Sequence, residues 1–241
     1  SDFGTIKDSR IYGNNMNVDV AGNVTIERVI SYGQRHAGII SRRRATDGWA
    51  LHTAVIKNSI FYTGAGTEEA HVKMLRGGQF ELYNSVLYDS AQEGIVFRPL
   101  RTNDAGYTPS APIPGLNIVK NNVIIGSTNY GVYFNTLSQQ APAQALIDTN
   151  IFFGNGLRNG ASDNSDVNSI IADPQFVNAL ANDFHIINLL SPAINSGLNL
   201  AGIVNEDFDR VSRPQGGAYD IGAFELVQGP CTFTNATWST T

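Results

Sequence analysis

The stretch Ile118-Val119-Lys120-Asn121-Asn122-Val123-Ile124 decides the fold, because it joins alternating apolar residues, a polar pair and a second apolar run. The same pattern recurs at Ile6–Tyr12, Val24–Ile30, Val55–Tyr62, Leu82–Tyr88 and Leu146–Phe152. Its apolar anchors are separated by 18 to 37 residues and fall at Ile11, Val29, Ile60, Val86, Val123 and Ile151. A constant strand motif at irregular spacing predicts stacked coils whose insertions are confined to loops.

A second short strand follows several of these anchors, at Gly38–Arg42, His71–Leu75, Gly94–Arg98 and Gly131–Asn135. Alternation along a strand predicts one set of inward side chains, Ile39, Val72, Ile95 and Val132, with Ser41, Met74, Phe97 and Phe134 two places on. The sequence therefore predicts an all-β fold, a right-handed parallel β-helix of about six coils.

Three asparagines, Asn58, Asn84 and Asn121, precede an anchor at equivalent positions. We expect them to occupy sharp bends and to bridge from coil to coil as a ladder. The alternative is that they are surface turn residues without a ladder.

The composition limits the classes of function. Of the 241 residues 42% are hydrophobic and only 15% are charged, which favours a packed fold with many turns. A formal net charge of −5 argues against a general nucleic-acid binder. No apolar run approaches the roughly 18 residues of a membrane-spanning helix, so we expect no membrane span.

The pattern changes near Asp173, where several motifs follow in order: Asp173–Val177, Asp183–Ile186, Ser191–Gly197 and Arg213–Glu225. Over roughly residues 172–225 the chain resembles the choice-of-anchor Q segment that closes bacterial surface and secreted β-helix proteins. The resemblance implies a pectate-lyase-like coil, export to the cell surface and flanking surface domains. It predicts β-helix coils over 1–171, a C-terminal capping module over 172–226 and an extended tail or linker over 227–241. We expect the module to cover the open last coil with Phe176, Phe184, Ile186, Ile194, Ile221 and Phe224.

A basic patch is the leading candidate for ligand binding. On the predicted coil alignment, one face carries Arg42, Arg43, Lys73, Arg76, Arg98 and Arg101. Guanidinium and ammonium groups on stacked coils suit the carboxylates or sulfates of an acidic polysaccharide. Tyr133 and Trp49 would add stacking surfaces. The alternative is a solvated face neutralised by loop carboxylates, namely Asp47, Glu68, Glu69, Glu93 and Asp104.

The same patch carries the catalytic hypothesis. A polysaccharide lyase needs a base to take the C5 proton and a cation to neutralise the uronate carboxylate. Lys73 or His71 is the predicted base and Arg98 the predicted neutraliser. The sequence predicts no cofactor. Calcium held by Asp207 and Asp209 is an alternative, against the interpretation that these carboxylates pair with Arg210 or Arg213 and shape turns.

The chain ends suggest assembly. Phe3 leads into the first coil without a visible cap, and the Thr-rich tail holds Cys231, Phe233 and Trp238. The tail is either a strand that adds to a neighbouring subunit or a linker to another domain. The first functional hypothesis is a structural or adhesive module at the cell surface that assembles with copies of itself or binds glycans. The alternative is a lyase acting on an acidic polysaccharide.

Overall fold

The computed structural model describes residues 4–42, 44, 50–62, 69–76, 78–98, 116–135, 144–162 and 165–227. The strands in this part of the chain form a 12-stranded and a 6-stranded sheet, and neighbouring strands come from successive repeats. Each strand pair is parallel, as in β3 with β5 and β4 with β7. The chain is a parallel β-helix, which confirms the predicted fold class.

Each coil presents up to three faces. The first face comprises the beginning of β1 (Gly4–Tyr12) and of β3 (Val24–Tyr32), then β5 (Thr53–Lys57), β8 (Gln79–Tyr83), β11 (Asn117–Lys120), β14 (Ala145–Asp148) and β17 (Asp166–Val167). The second comprises the ends of β1 and β3, then β6 (Ile60–Tyr62), β9 (Val86–Tyr88), β12 (Val123–Ile125), β15 (Ile151–Phe153) and β18 (Ile170–Ile171). The third comprises β2 (Met16–Val20), β4 (Ala37–Arg42), β7 (Ala70–Leu75), β10 (Glu93–Arg98), β13 (Tyr130–Phe134) and β16 (Arg158–Ala161).

The interior is filled by columns of like residues from successive coils. On the third face Ile39 pairs with Val72, and Val72 with Ile95, in continuous register. One core cluster holds the predicted inward residues Ile39, Val72, Met74, Ile95, Phe97, Val132 and Phe134, and Ser41 is buried beside them. Alternation along these strands was therefore sufficient to predict which side chains form the core.

Between the first and second faces every coil turns through one residue with positive φ. These residues are Asp8, Arg28, Asn58, Asn84, Asn121, Thr149 and Asn168, with φ between 40° and 56°. Asn and Asp tolerate this left-handed conformation better than most residues, which explains why they recur at the bend. The predicted bend is confirmed. The predicted ladder is present only between Asn121 and Asn84, whose Nδ2 and Oδ1 atoms lie 3.4 Å apart.

The main polar ladder lies one residue further on and points inward. The Oγ of Ser59 accepts the N–H of Val29 at 3.2 Å, and the Oδ1 of Asn122 accepts the N–H of Ser85 at 3.0 Å. The column continues through Asn150, whose N–H reaches the Oγ of Ser169 at 3.2 Å. These side chains satisfy buried backbone donors at the bend, where the regular strand hydrogen bonds are interrupted.

The predicted anchors do not all share one column. Ile60, Val86, Val123 and Ile151 are in register, and their counterpart in β3 is Ile30. Val29 and Ile11 fall in the columns on either side of that one. The first two anchors were therefore assigned one residue out of register, a shift that moves a side chain to the other face of a strand.

The C-terminal segment 172–227 lies along the side of the coils. Its residues Phe184, Ile221 and Phe224 pack on the outward column Ile60, Val86, Val123 and Ile151. Within the described residues the interior core cluster ends at Ala161 and includes no residue of this segment. The prediction that these apolar residues cover the open last coil is wrong, because the outer side of the second face is itself apolar and takes them instead.

The bend asparagines bind this module to the coils. The Nδ2 of Asn58 donates to the carbonyl of Glu206 at 2.6 Å, and that of Asn84 to the carbonyl of Asp220 at 2.9 Å. The backbone approaches closely at Gly222, where φ is 107° and a Cβ would lie 3.1 Å from a methyl group of Val123. The module is therefore attached by hydrogen bonds as well as by apolar packing.

A buried charge network holds the module in shape. Arg213 donates from Nη1 to Oε2 of Glu225 at 2.6 Å and from Nη2 to the carbonyl of Gly222 at 2.9 Å. Asp220 accepts the N–H groups of Asn195 and Leu226, each at 2.7 Å. These contacts give a structural role to the Arg213–Glu225 motif.

Candidate functional site

The third face brings together three residues of the predicted basic patch. Lys73 occupies the column between Ile40 and Val96, and Arg42 and Arg98 lie in a second column on the same side of the sheet. The centre of this side is buried, because Ile40 and Lys73 have no exposed surface and Val96 is 3% exposed. The patch is therefore a set of charges around a buried centre.

The charge of Lys73 is balanced by a neighbouring carboxylate. Its Nζ contacts Oε2 of Glu69, and the same oxygen lies 3.3 Å from Nδ1 of His36. Burial lowers the pKa of the Lys73 ammonium despite the carboxylate beside it. Burial alone would raise the pKa of the Glu69 carboxyl. The hydrogen bond from Lys73 and the nearby cations outweigh burial and lower this pKa.

A second carboxyl group adjoins this pair. Glu93 is nearly buried, and its Oε1 accepts a hydrogen bond from Asn129 at 3.2 Å. Burial raises the pKa of Glu93, and the charge of Glu69 adds to that effect. Glu69 and Glu93 were predicted to neutralise the basic patch. Of these two carboxylates, Glu69 contacts Lys73.

Arg42 has a partner that the sequence did not reveal. Its guanidinium contacts the carboxylate of Asp19, which also lies 2.9 Å from Nη2 of Arg44. Asp19 is in β2, one coil earlier than β4. The alternation of apolar and polar residues in Met16–Val20 was the sequence signal for this strand. Without identifying the strand, the sequence could not place Asp19 beside Arg42.

The remaining patch residues are dispersed or undescribed. Arg76 follows β7 at a positive φ of 53°. Tyr133 is partly buried and stacks on Tyr130 with ring centres 5.2 Å apart, so one of its ring faces is occupied. Several predicted residues lie outside the described part of the chain, namely Arg43, Asp47, Trp49, Glu68, Arg101 and Asp104.

His71 lies inside the coil and not on its outer face. Its Nε2 is 2.9 Å from the carbonyl of Tyr88, and its Nδ1 is 3.3 Å from Nε2 of Gln34. With 1% exposure and both ring nitrogens engaged, His71 has no path to a polysaccharide. This placement corrects its assignment as a proton-abstracting base.

The predicted calcium ligands are engaged with the protein. Asp207 is buried, and its carboxylate accepts the N–H groups of Val211 and Glu225, each at 2.8 Å. The exposed Asp209 lies 2.8 Å from Nε2 of His185. Among the described residues no group of three or more His, Cys, Asp or Glu side chains has the arrangement of a metal site.

The strands of the first described coil each have one described neighbour. β1 pairs only with β3, and β2 pairs only with β4, in the part of the chain that the structure describes. Tyr12 at the first coil is 59% exposed, and Ile171 at the last is 65% exposed. The predicted assembly residues Phe3, Cys231, Phe233 and Trp238 lie outside the described residues.

No protein-family profile and no curated protein matches the chain. Among solved structures it is similar to the pectate lyase Pel9A, with 12% sequence identity and a TM-score of 0.47. The match covers 92% of this chain and 65% of the lyase, so the chain spans less than two thirds of its length. In the described residues no helix is long and apolar enough to cross a membrane.

Proposed function

We propose that this chain is a structural module of a secreted or cell-surface protein, and that it assembles end to end through the coil that contains β1. The observation that carries the proposal is the pairing of β1. Among the described strands β1, which is nine residues long, pairs with β3 alone, and Ile6 and Ile11 are only partly buried against the core. A long unpaired strand edge is a template for pairing with another chain.

The aromatic residues beside this edge support the proposal. Tyr12, Tyr32 and Tyr62 stack in sequence with ring centres 4.9 Å apart, close to the spacing of parallel strands. Tyr12 is the outermost ring of this stack in the described residues and is 59% exposed. A further coil would continue this stack as well as the β-sheet. The exported location rests on the resemblance of residues 172–225 to a segment of surface proteins.

Sedimentation velocity over a concentration series, with reductant present, tests the proposal. We expect the parent chain to form larger species as its concentration rises, and the Ile11→Lys variant to remain monomeric because a charge replaces an apolar residue of the docking edge. Leu180→Lys is the matched control, since Leu180 is 91% exposed on the C-terminal module. A parent chain that stays monomeric at all concentrations would refute the proposal.

A polysaccharide lyase is a second candidate, favoured by one observation. Lys73 has a lowered pKa beside Glu69 and lies on the same side of the sheet as Arg98. Such an amine is closer to the neutral form that a base requires. Against it, Lys73 has no exposed surface.

The absorbance of unsaturated uronate products, with polygalacturonate and alginate as probes, tests this candidate. It predicts activity in the parent chain, loss in Lys73→Met and retention in Lys7→Met, a substitution at an exposed position on the first face. Absence of product from the parent chain would exclude both tested substrates.

A further inference from the structure

We infer that His36, oriented by Glu69, is the general base of a site on the third face. The inference goes beyond the structural role and rests on the second candidate function, the lyase. Lys73 has no exposed surface from which to take a proton. The side chain of His36 contacts the same carboxylate as Lys73 and is 38% exposed.

The backbone of His36 is held by described neighbours in two coils. Its N–H donates to the carbonyl of Asn15 at 2.8 Å, and its carbonyl accepts the N–H of Glu69 at 3.1 Å. These hydrogen bonds place His36 immediately before β4, between the previous coil and the next. The position of the ring is therefore set by residues within the stack of coils.

The contact with Glu69 determines which nitrogen of His36 can act as a base. Nδ1 of His36 lies 3.3 Å from Oε2 of Glu69. A carboxylate at this position keeps the proton on Nδ1 and leaves the lone pair on Nε2. Among the described residues no group forms a hydrogen bond with Nε2, so this atom can accept a proton from a bound ligand.

The surroundings of His36 favour its neutral form. Burial lowers the pKa of His36 below its ordinary value of 6.5, and the charge of Lys73 adds to this effect. Glu69 acts to raise this pKa, whereas Arg98 and Arg42 act to lower it. The net result is a lowered pKa, and a neutral imidazole is the form that a base requires.

Arg98 supplies the second group that a lyase needs. Its side chain is partly exposed and forms no ion pair or hydrogen bond within the described part of the chain. Its charge acts on both Glu69 and His36, which places the guanidinium near them. A guanidinium beside a neutral imidazole suits a sugar unit with a carboxylate next to an acidic C–H bond.

The proposed step is a β-elimination on a uronate. Arg98 binds the carboxylate, and Nε2 of His36 takes the proton from C5. The electron pair of that C–H bond forms the C4–C5 double bond, and the bond from C4 to the leaving oxygen breaks. The leaving oxygen takes a proton from water, and the imidazolium returns its proton to the resulting hydroxide. Lys73 and Glu69 act through His36 as positioning residues.

Kinetics on polygalacturonate and alginate, followed by the absorbance of unsaturated products, test the inference. We expect His36→Gln to lose about 100-fold or more in kcat/KM, the contribution typical of a general base. His185→Gln, the same substitution on the C-terminal module, is the matched control and should retain activity. Thermal unfolding of each variant separates loss of the base from loss of the fold.

Two further measurements distinguish a base from a residue with a structural role. We expect His36→Ala to regain activity when imidazole is added, because the free base can occupy the vacated space. We expect Glu69→Gln to move the rising limb of the pH profile to lower pH, since the carboxylate acts to raise the pKa of His36. Absence of both effects would assign His36 a structural role and overturn the inference.

The outcomes also separate this inference from the second candidate function. An active parent chain whose His36→Gln variant keeps its activity would overturn the inference and leave the lyase in place. Loss of activity in Lys73→Met with retention in His36→Gln would return the role of base to Lys73. A parent chain that forms no product from either polysaccharide would overturn the inference together with the second candidate.

Discussion

At the scale of single residues, the most constrained side chain is Arg213. Its side chain and that of Glu225 are 0% and 1% exposed, and the two form an ion pair within the module. We predict that Arg213→Met costs about 3–5 kcal/mol of unfolding free energy, because it leaves the carboxylate of Glu225 buried without its cation. Urea unfolding followed by circular dichroism measures the loss.

Arg210→Met is the control for this prediction. Arg210 is 62% exposed and lies 3.1 Å from Asp8, and exposed pairs of this kind contribute about 0–1 kcal/mol. Equal losses in the two variants would contradict the role assigned to the buried network.

We expect the stability of the module to depend on pH through His185. Its ring lies 2.6 Å from Asp183 and 2.8 Å from Asp209. Burial acts to lower the pKa of His185, but its hydrogen bonds with Asp209 and Asp183 outweigh burial and raise the pKa above its ordinary value of 6.5. The stability contributed by the protonated ring is therefore complete below the unfolded pKa and is lost as pH rises through the folded pKa.

We predict that unfolding free energy falls with rising pH across this window and that His185→Gln reduces the slope. Denaturant midpoints at a series of pH values give the measurement. An unchanged slope in the variant would show that the carboxylates do not act through His185.

At the scale of the elements, the interior ladder holds successive coils in register. Asn122 accepts the N–H of Ser85 and donates to the carbonyls of Leu82 and Lys120 at 3.0 and 2.9 Å. We predict a cost of about 1–3 kcal/mol for Asn122→Ala, since these groups would be left buried and unpaired.

Asn122→Ser should cost less, because Ser59 and Ser85 occupy the same column. Asn188→Ala is the control in the same unfolding assay, because it removes hydrogen bonds with Gln175 and Leu190 at an exposed position, where we expect a smaller loss. A serine variant as unstable as the alanine variant would argue that packing, and not hydrogen bonding, determines the cost.

The sequence was sufficient for the repeated strands and their inward faces, but not for the strand Met16–Val20, for every register or for the outer surface. Ile11 and Val29 fit either of two adjacent columns by hydrophobicity alone, so their assignment slipped by one residue. Ile60 and Val86 are apolar like core residues although they face outward. Only the three-dimensional packing shows that the module covers them.

The candidate site illustrates the same limit. Alternation placed Lys73 of β7 and Arg98 of β10 on one side of the sheet, but burial of Lys73 depends on what covers that side. His71 was assigned to the accessible patch, whereas the fold directs it toward Gln34 and Tyr88. The ion pair between Arg42 and Asp19 joins two different coils. Predicting it would have required the strand Met16–Val20 to be identified first.

At the scale of the whole molecule, the module lies along the side of the coils. Residues 172–227 cover the bend and the outer side of the second face, and in the described residues β1 pairs with β3 alone. A solenoid normally needs a cap where its core is exposed. The proposed assembly would cover Ile6 and Ile11, which are only partly buried in the first described coil.

Electron cryomicroscopy of the concentrated protein, at a resolution that separates coils, tests the central claim most directly. We predict end-to-end stacks in which β1 of one copy lies about 4.8 Å from the last coil of the next, with parallel strands across the junction. Dispersed monomers, or copies joined through any other surface, would contradict the account.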